Sequence, residues 1–136
     1  MKNYTGTLSL FLFISVLVGQ PTFTEHAIST SAYGARDVYA ADVDGDGDMD
    51  VLSASYNDDK IAWYENDGSE SFTDHAISTL ADGATSIYAA DVDADGDMDV
   101  VSASYNDDKI AWYENDGSES FTEHIISTSA DGAFSV

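Results

Sequence analysis

No cysteine occurs among the 136 residues, which excludes a disulfide scaffold, a thiol nucleophile and a zinc–thiolate centre. Basic residues are almost as scarce. Four Lys or Arg stand against 26 Asp or Glu, a formal charge of −22, so a nucleic-acid backbone or an anionic membrane surface would be repelled. Proline occurs once, at Pro21. Beyond the first 20 residues no segment offers about ten or more positions at helical spacing, which argues against an α or α/β class. What is present is core-forming: 43% of the residues are apolar and 12% aromatic, far more than an acidic disordered tail carries.

The first 20 residues stand apart. Lys2 gives a positive start, Leu8 to Val18 is an uncharged, largely apolar run of 11 residues, and Leu17 and Gly19 sit where small or aliphatic residues precede a cleavage site. Residues 1–20 therefore read as a secretory signal peptide. The run is shorter than the ~18 to 20 residues that a membrane span needs. Removal of Lys2 with it takes the charge from −22 to −23 and places the protein outside the cell, at its surface or in a periplasm.

A repeat organises the remainder. Phe23, Phe72 and Phe121 open nearly the same phrase, FTEHAIST, FTDHAIST and FTEHIIST, and 72 − 23 and 121 − 72 both give 49. Residues 23–71 and 72–120 differ only at Glu25, Ser31, Tyr33, Arg36, Asp37, Val38, Gly45 and Leu52, so 49 − 8 = 41 positions are identical. Inside one copy the pattern predicts four short strands: Val38 to Ala41, Val51 to Tyr56, Ile61 to Tyr64 and Phe72 to Ile77. Turns fall at the acidic loop, at Asn57-Asp58-Asp59 and at Asn66-Asp67-Gly68-Ser69. Four strands in a period of ~40 to 50 residues match an all-β chain of β-propeller blades, in preference to a β-sandwich or β-solenoid. The expected division is an orphan fourth strand (Phe23 to Ile28) and linker in 21–34, a first repeat in 35–83, a second in 84–132 and the start of a third in 133–136. Two blades do not close a ring, which generally takes ~4 to 8. Either the chain is the amino-terminal part of a longer protein or several copies assemble.

Chemistry concentrates in two loops, DVDGDGDMD at Asp42 to Asp50 and DVDADGDMD at Asp91 to Asp99, each with five carboxylates in nine residues. Such crowding is costly unless a cation neutralises it, and hard oxygen donors on a flexible loop suit Ca²⁺. In the first loop Asp42, Asp44 and Asp46 hold positions 1, 3 and 5, Gly47 allows the turn at 6, Asp48 offers its carbonyl at 7 and Asp50 closes at 9. Asp91, Asp93, Asp95, Gly96, Asp97 and Asp99 repeat this arrangement. The intervening Val43 and Val92 are expected to face the core. An EF-hand would need a bidentate Glu at position 12, and that position is Ser53 or Ser102 with β-prone sequence after it. Mg²⁺ fits less well because it demands a tight octahedron and keeps its waters.

The run from Asp82 to Ser104, DGATSIYAADVDADGDMDVVSAS, resembles the FG-GAP or VCBS-type repeat, the calcium-binding blade also found in integrin α chains. The resemblance extends from about Phe23 onward. It implies a propeller blade whose first two strands are joined by the acidic loop, with Ca²⁺ held by Asp42, Asp44, Asp46, Asp48 and Asp50 and by Asp91, Asp93, Asp95, Asp97 and Asp99. Where the family name has Phe-Gly this chain has Tyr33-Gly34 and Asp82-Gly83, and where it has Gly-Ala-Pro this chain has Ser53-Ala54-Ser55 and Ser102-Ala103-Ser104. These departures fit the VCBS variety better than an integrin.

Other groups are weaker candidates. His26, His75 and His124 recur at the repeat period and so belong to separate blades, as hydrogen-bonded structural histidines rather than one zinc cluster. Trp63-Tyr64 and Trp112-Tyr113 sit mid-strand, where packing between blades is favoured over sugar stacking. No G-x-S-x-G elbow surrounds Ser53, Ser55, Ser102 or Ser104, and there is no phosphate-binding glycine loop. The expected function is a secreted, calcium-stabilised binding or adhesion module, not an enzyme, whose partner is an extracellular protein or glycan. A lectin and the scaffold of a polysaccharide lyase or hydrolase are the alternatives.

Overall fold

The computed structural model describes residues 20–136. Residues 1–19 of the segment read as a signal peptide lie outside the described residues.

Gly34 (φ 65°) and Gly83 (φ 67°) take the left-handed conformation that turns the chain into the first strand of each repeat. A side chain at either would collide with the amide of Asn57 or Asn106. The strands of the first repeat are β1 (Ala35–Ala41), β2 (Asp50–Ser55), β3 (Lys60–Asn66) and β4 (Phe72–Ser78). Those of the second are β5 (Ala84–Ala90), β6 (Asp99–Ser104), β7 (Lys109–Asn115) and β8 (Phe121–Ser127). Each set forms an antiparallel four-stranded sheet in sequence order, β1-β2-β3-β4 and β5-β6-β7-β8. The registers are identical at the 49-residue offset: Leu52 faces Tyr39 and Trp63, and Val101 faces Tyr88 and Trp112. Both first strands carry a bulge, between Ala35 and Asp37 and between Ala84 and Ser86, which accommodates polar residues outside the expected β-prone run. That is why the strands begin three residues before Val38 and its counterpart.

The two sheets are propeller blades stacked face to face, with β5 lying across β1 and β2. Leu52, Ala54, Ile61 and Trp63 of the first blade pack with Ala84, Ile87 and Ala89 of the second, the small residues allowing the inner strands to approach. Directional contacts fix the stacking. Asp37 Oδ2 accepts from the Ser86 hydroxyl and the Ile87 amide, both at 3.0 Å. The Tyr56 hydroxyl donates to Asn106 Oδ1 at 3.0 Å, and Lys109 Nζ donates to the Leu80 carbonyl at 2.8 Å.

Two expectations give way. Phe23 to Ile28, predicted as a fourth strand, has no strand pairing, and Phe23 is 93% exposed. A strand requires a neighbour for its backbone groups, and no third strand of its own blade lies beside it among the described residues. Val43 is 3% exposed as expected, but Val92 is 48% exposed, because the second blade covers the first loop and nothing among the described residues covers the second.

Candidate metal centre

Each acidic loop bridges the first two strands of its blade, and its shape follows from short side chains capping nearby amides. Asp42 Oδ2 accepts from Gly47 N (3.1 Å), Asp44 Oδ1 from Asp46 N (3.1 Å) and Asp46 Oδ1 from Asp48 N (2.8 Å). In the second loop Asp91 Oδ2 accepts from Gly96 N (3.2 Å), Asp93 Oδ1 from Asp95 N (3.2 Å) and Asp95 Oδ1 from Asp97 N (2.9 Å). Asp91 Oδ1 also accepts from Asp95 N at 3.1 Å. Gly47 (φ 98°) and Gly96 (φ 104°) supply the tight turn at position 6.

The sequence-derived ligands separate into three groups. Asp42, Asp44 and Asp46 converge, each offering an oxygen within 4.8 Å of the others, and in the second loop Asp91, Asp93 and Asp99 do the same. Asp48 and Asp97 turn their carboxylates aside, over Gly68 and Gly117, where a β-carbon would strike them. Asp50 and Asp99 are fully buried bolts. Asp50 Oδ2 accepts from Val43 N (3.0 Å) and Oδ1 from Asn66 N (2.8 Å); Asp99 accepts from Val92 N (3.0 Å) and Asn115 N (2.8 Å). Asp95 lies outside the second cluster, whose third member is Asp99.

Sequence reasoning missed Asn66 and Asn115. Asn66 Nδ2 donates to Met49 O at 3.1 Å, closing the loop onto the next turn, and Asn115 Nδ2 reaches both Met98 O and Val43 O of the preceding blade, each at 3.2 Å. Both recur at the repeat period, but only the register of the third strand carries them to the loop.

A family model described as FG-GAP-like repeat matches residues 3–53, 42–102 and 91–136. The chain belongs to the FG-GAP-like repeat family. Neither a curated protein nor a solved structure gives a match. The second and third matches of the FG-GAP-like repeat open at Asp42 and Asp91, the first carboxylates of the two loops.

The donor set of these FG-GAP-like repeats fits a hard cation. Asp42 Oδ1 is buried and has no hydrogen-bond partner among the described residues, although the other oxygen of the same carboxylate is used. Burial raises the pKa of Asp44, and the charges of Asp50, Asp46 and Asp42 add to that shift against the lowering effect of the Asp46 amide. Burial likewise raises Asp93 against the lowering effect of the Asp95 amide, and repulsion from Asp95, Asp99 and Glu114 adds to the rise.

The remaining candidates are engaged in hydrogen bonds and packing within their blades. His75 Nε2 lies 2.8 Å from Glu65 and His124 Nε2 lies 2.6 Å from Glu114, and their rings stack on Trp63 and Trp112 at 4.7 Å. Trp63 is 1% exposed and packs edge-on against Phe121 of the second blade, which removes it as a sugar platform. The serines at 53 and 102 sit beside the Tyr64 and Tyr113 hydroxyls inside the sheets.

Proposed function

We propose that this β-propeller repeat module binds Ca²⁺ structurally, about one ion in each acidic loop, and serves outside the cell as a protein- or glycan-binding module. The observation that carries the metal reading is the convergence of three carboxylates in each loop, with oxygens within 4.8 Å of one another, together with Asp42 Oδ1, which is buried without a hydrogen-bond partner among the described residues. Asp42, Asp44 and Asp46 in the first loop, and Asp91, Asp93 and Asp99 in the second, would hold the ion. It would supply charge neutralisation rather than reactivity. The loops' irregular oxygen set suits the variable coordination of Ca²⁺ better than the octahedron of Mg²⁺.

Repetition favours a binding role over a catalytic one, because two near-identical sites on successive blades do the same work. Export rests on the amino-terminal segment at 1–20, and among the described residues no helix is long and apolar enough to cross a membrane.

A thermal melt of the full chain in EDTA and through a calcium titration tests the metal reading. At 100 times Kd each site contributes about 2.7 kcal/mol, so two raise stability by about 5 kcal/mol and the midpoint by roughly 15 °C. Mg²⁺ is expected to do little. A folded chain whose midpoint ignores calcium overturns the reading.

A further inference from the structure

The repeat supplies its own control for an uncovered blade face. Ile87, at the junction, is 3% exposed, while its counterpart Val38 on the outer face of the first blade is 65% exposed. Val43 and Val92 differ in the same way on the other side. Since 41 of 49 positions are shared, the open face of the second blade is nearly the surface that the first blade already buries, and the open face of the first is nearly the surface that the second buries. The two faces left exposed are thus the two halves of one interface that the chain forms within itself.

We propose that copies of this chain associate head to tail, the open face of the first blade in one copy seating on the open face of the second blade in another. The junction contacts define the expected pairs. Asn57 of the second copy would meet the Tyr105 hydroxyl as Asn106 meets Tyr56, and Asn66 of the second copy would cap the Val92 carbonyl as Asn115 caps Val43. The second acidic loop, whose Asp91 and Asp93 are exposed where Asp42 and Asp44 are half-buried, would be covered by such a neighbour as the second blade covers the first loop. A heterologous contact of this kind continues until it closes, and rings of ~4 to 8 blades correspond to about two to four copies.

Association is an exchange. Residues 130–136 already hold part of the place: Ala130 N donates to Asp108 O (3.0 Å), Gly132 N to Asp108 Oδ1 (2.8 Å), Thr85 Oγ1 to Ala133 O (3.0 Å) and Val136 N to Ser86 Oγ (3.3 Å). They mimic residues 81–87 at the junction, where Ala81 N donates to Asp59 O (3.0 Å) and Gly83 N to Asp59 Oδ1 (2.9 Å). Residues 32–38 of the incoming copy are the equivalents that replace them. The unpaired Phe23 to Ile28 of that copy stays outside, since β8 fills the fourth-strand place. Charge opposes the approach, as each copy carries −22, so salt strengthens the contact.

Sedimentation of the full chain from micromolar to near-millimolar concentration tests this, in EDTA with high salt as well as in calcium. Association in EDTA would support the stacking even if the loops bind no ion. Val38→Glu and Tyr105→Glu each alter a side chain that is 65% or 48% exposed in the single chain. Each is expected to weaken self-association at least tenfold while circular dichroism stays unchanged, and mixing the two restores a capped 1:1 pair. Deleting 130–136 is expected to strengthen association. A folded monomer under all conditions, or a Val38→Glu protein that associates like the parent, overturns the proposal, and weaker association of the deletion protein overturns the exchange.

Discussion

Asp50 is the most informative residue to remove. Its carboxylate is fully buried and holds two backbone amides, Val43 N at 3.0 Å and Asn66 N at 2.8 Å, so Asp50→Ala strands two donors. An unsatisfied buried donor costs about 1–3 kcal/mol, which gives about 2–6 kcal/mol in all, a large part of the 5–15 kcal/mol typical of a domain. Asp44→Ala differs. It loses one bond to the exposed Asp46 amide and relieves a carboxyl whose pKa is raised by burial and neighbouring charge, so its net cost without metal is below about 1 kcal/mol. Urea melts in EDTA should therefore show a large fall in midpoint for Asp50→Ala and little for Asp44→Ala. In saturating calcium, Asp44→Ala should lose about 2.7 kcal/mol of ligand linkage. If Asp50→Ala matched the parent in EDTA and fell only in calcium, position 9 would be a ligand before it is a bolt, and the reasoning from its hydrogen bonds would fail.

Asp44 and Asp93 titrate above the ordinary 3.8, so in EDTA their contribution to stability is present at low pH and lost as pH rises through their raised values. A calcium ion would bind the charged form and reverse the sign: the calcium-induced rise in melting temperature is expected to shrink as pH falls through these raised values, and a rise of equal size above and below them would contradict this. Val43→Ala is expected to cost about 1.5 kcal/mol or more and Val92→Ala under about 0.5 kcal/mol in dilute monomer, since one is 3% and the other 48% exposed. Equal losses in a urea series would mean that the blades do not stack as described. Ala94 stands at φ 67° where the first loop has Gly45 at φ 77°. Ala94→Gly should raise stability by about 0.5–1 kcal/mol in calorimetry and Gly45→Ala should lower it, the left-handed cost outweighing the added freedom of the unfolded glycine.

The blade architecture was legible because the repeat is faithful: Phe23, Phe72 and Phe121 set the period, and turn residues at Asn57 to Asp59 and Asn66 to Ser69 separate the strands. The two loops were legible as clusters of carboxylates, five acids in nine residues, and the structure brings three of them together in each. Their individual roles were not. Asp48 turns away because Gly68, 20 positions on, leaves room for it, and Asp50 is engaged by the amide of Asn66; both relations exist only once β3 lies beside β2. The alternation that sends Val43 inward says equally that Val92 goes inward, and only the neighbouring blade decides which is covered. Phe23 to Ile28 has the letters of β4 but not its partner, and pairing is a property of two segments.

The capping bonds within each acidic loop also bear on speed. Asp42, Asp44 and Asp46 tie the turn to its own amides, so the ordering of these residues, about 1–2 kcal/mol each in backbone entropy, falls on the folding of the blade. A cation that binds there would meet a loop already drawn into shape, and its rate of entry would be set by the shedding of its own water shell rather than by rearrangement of the chain.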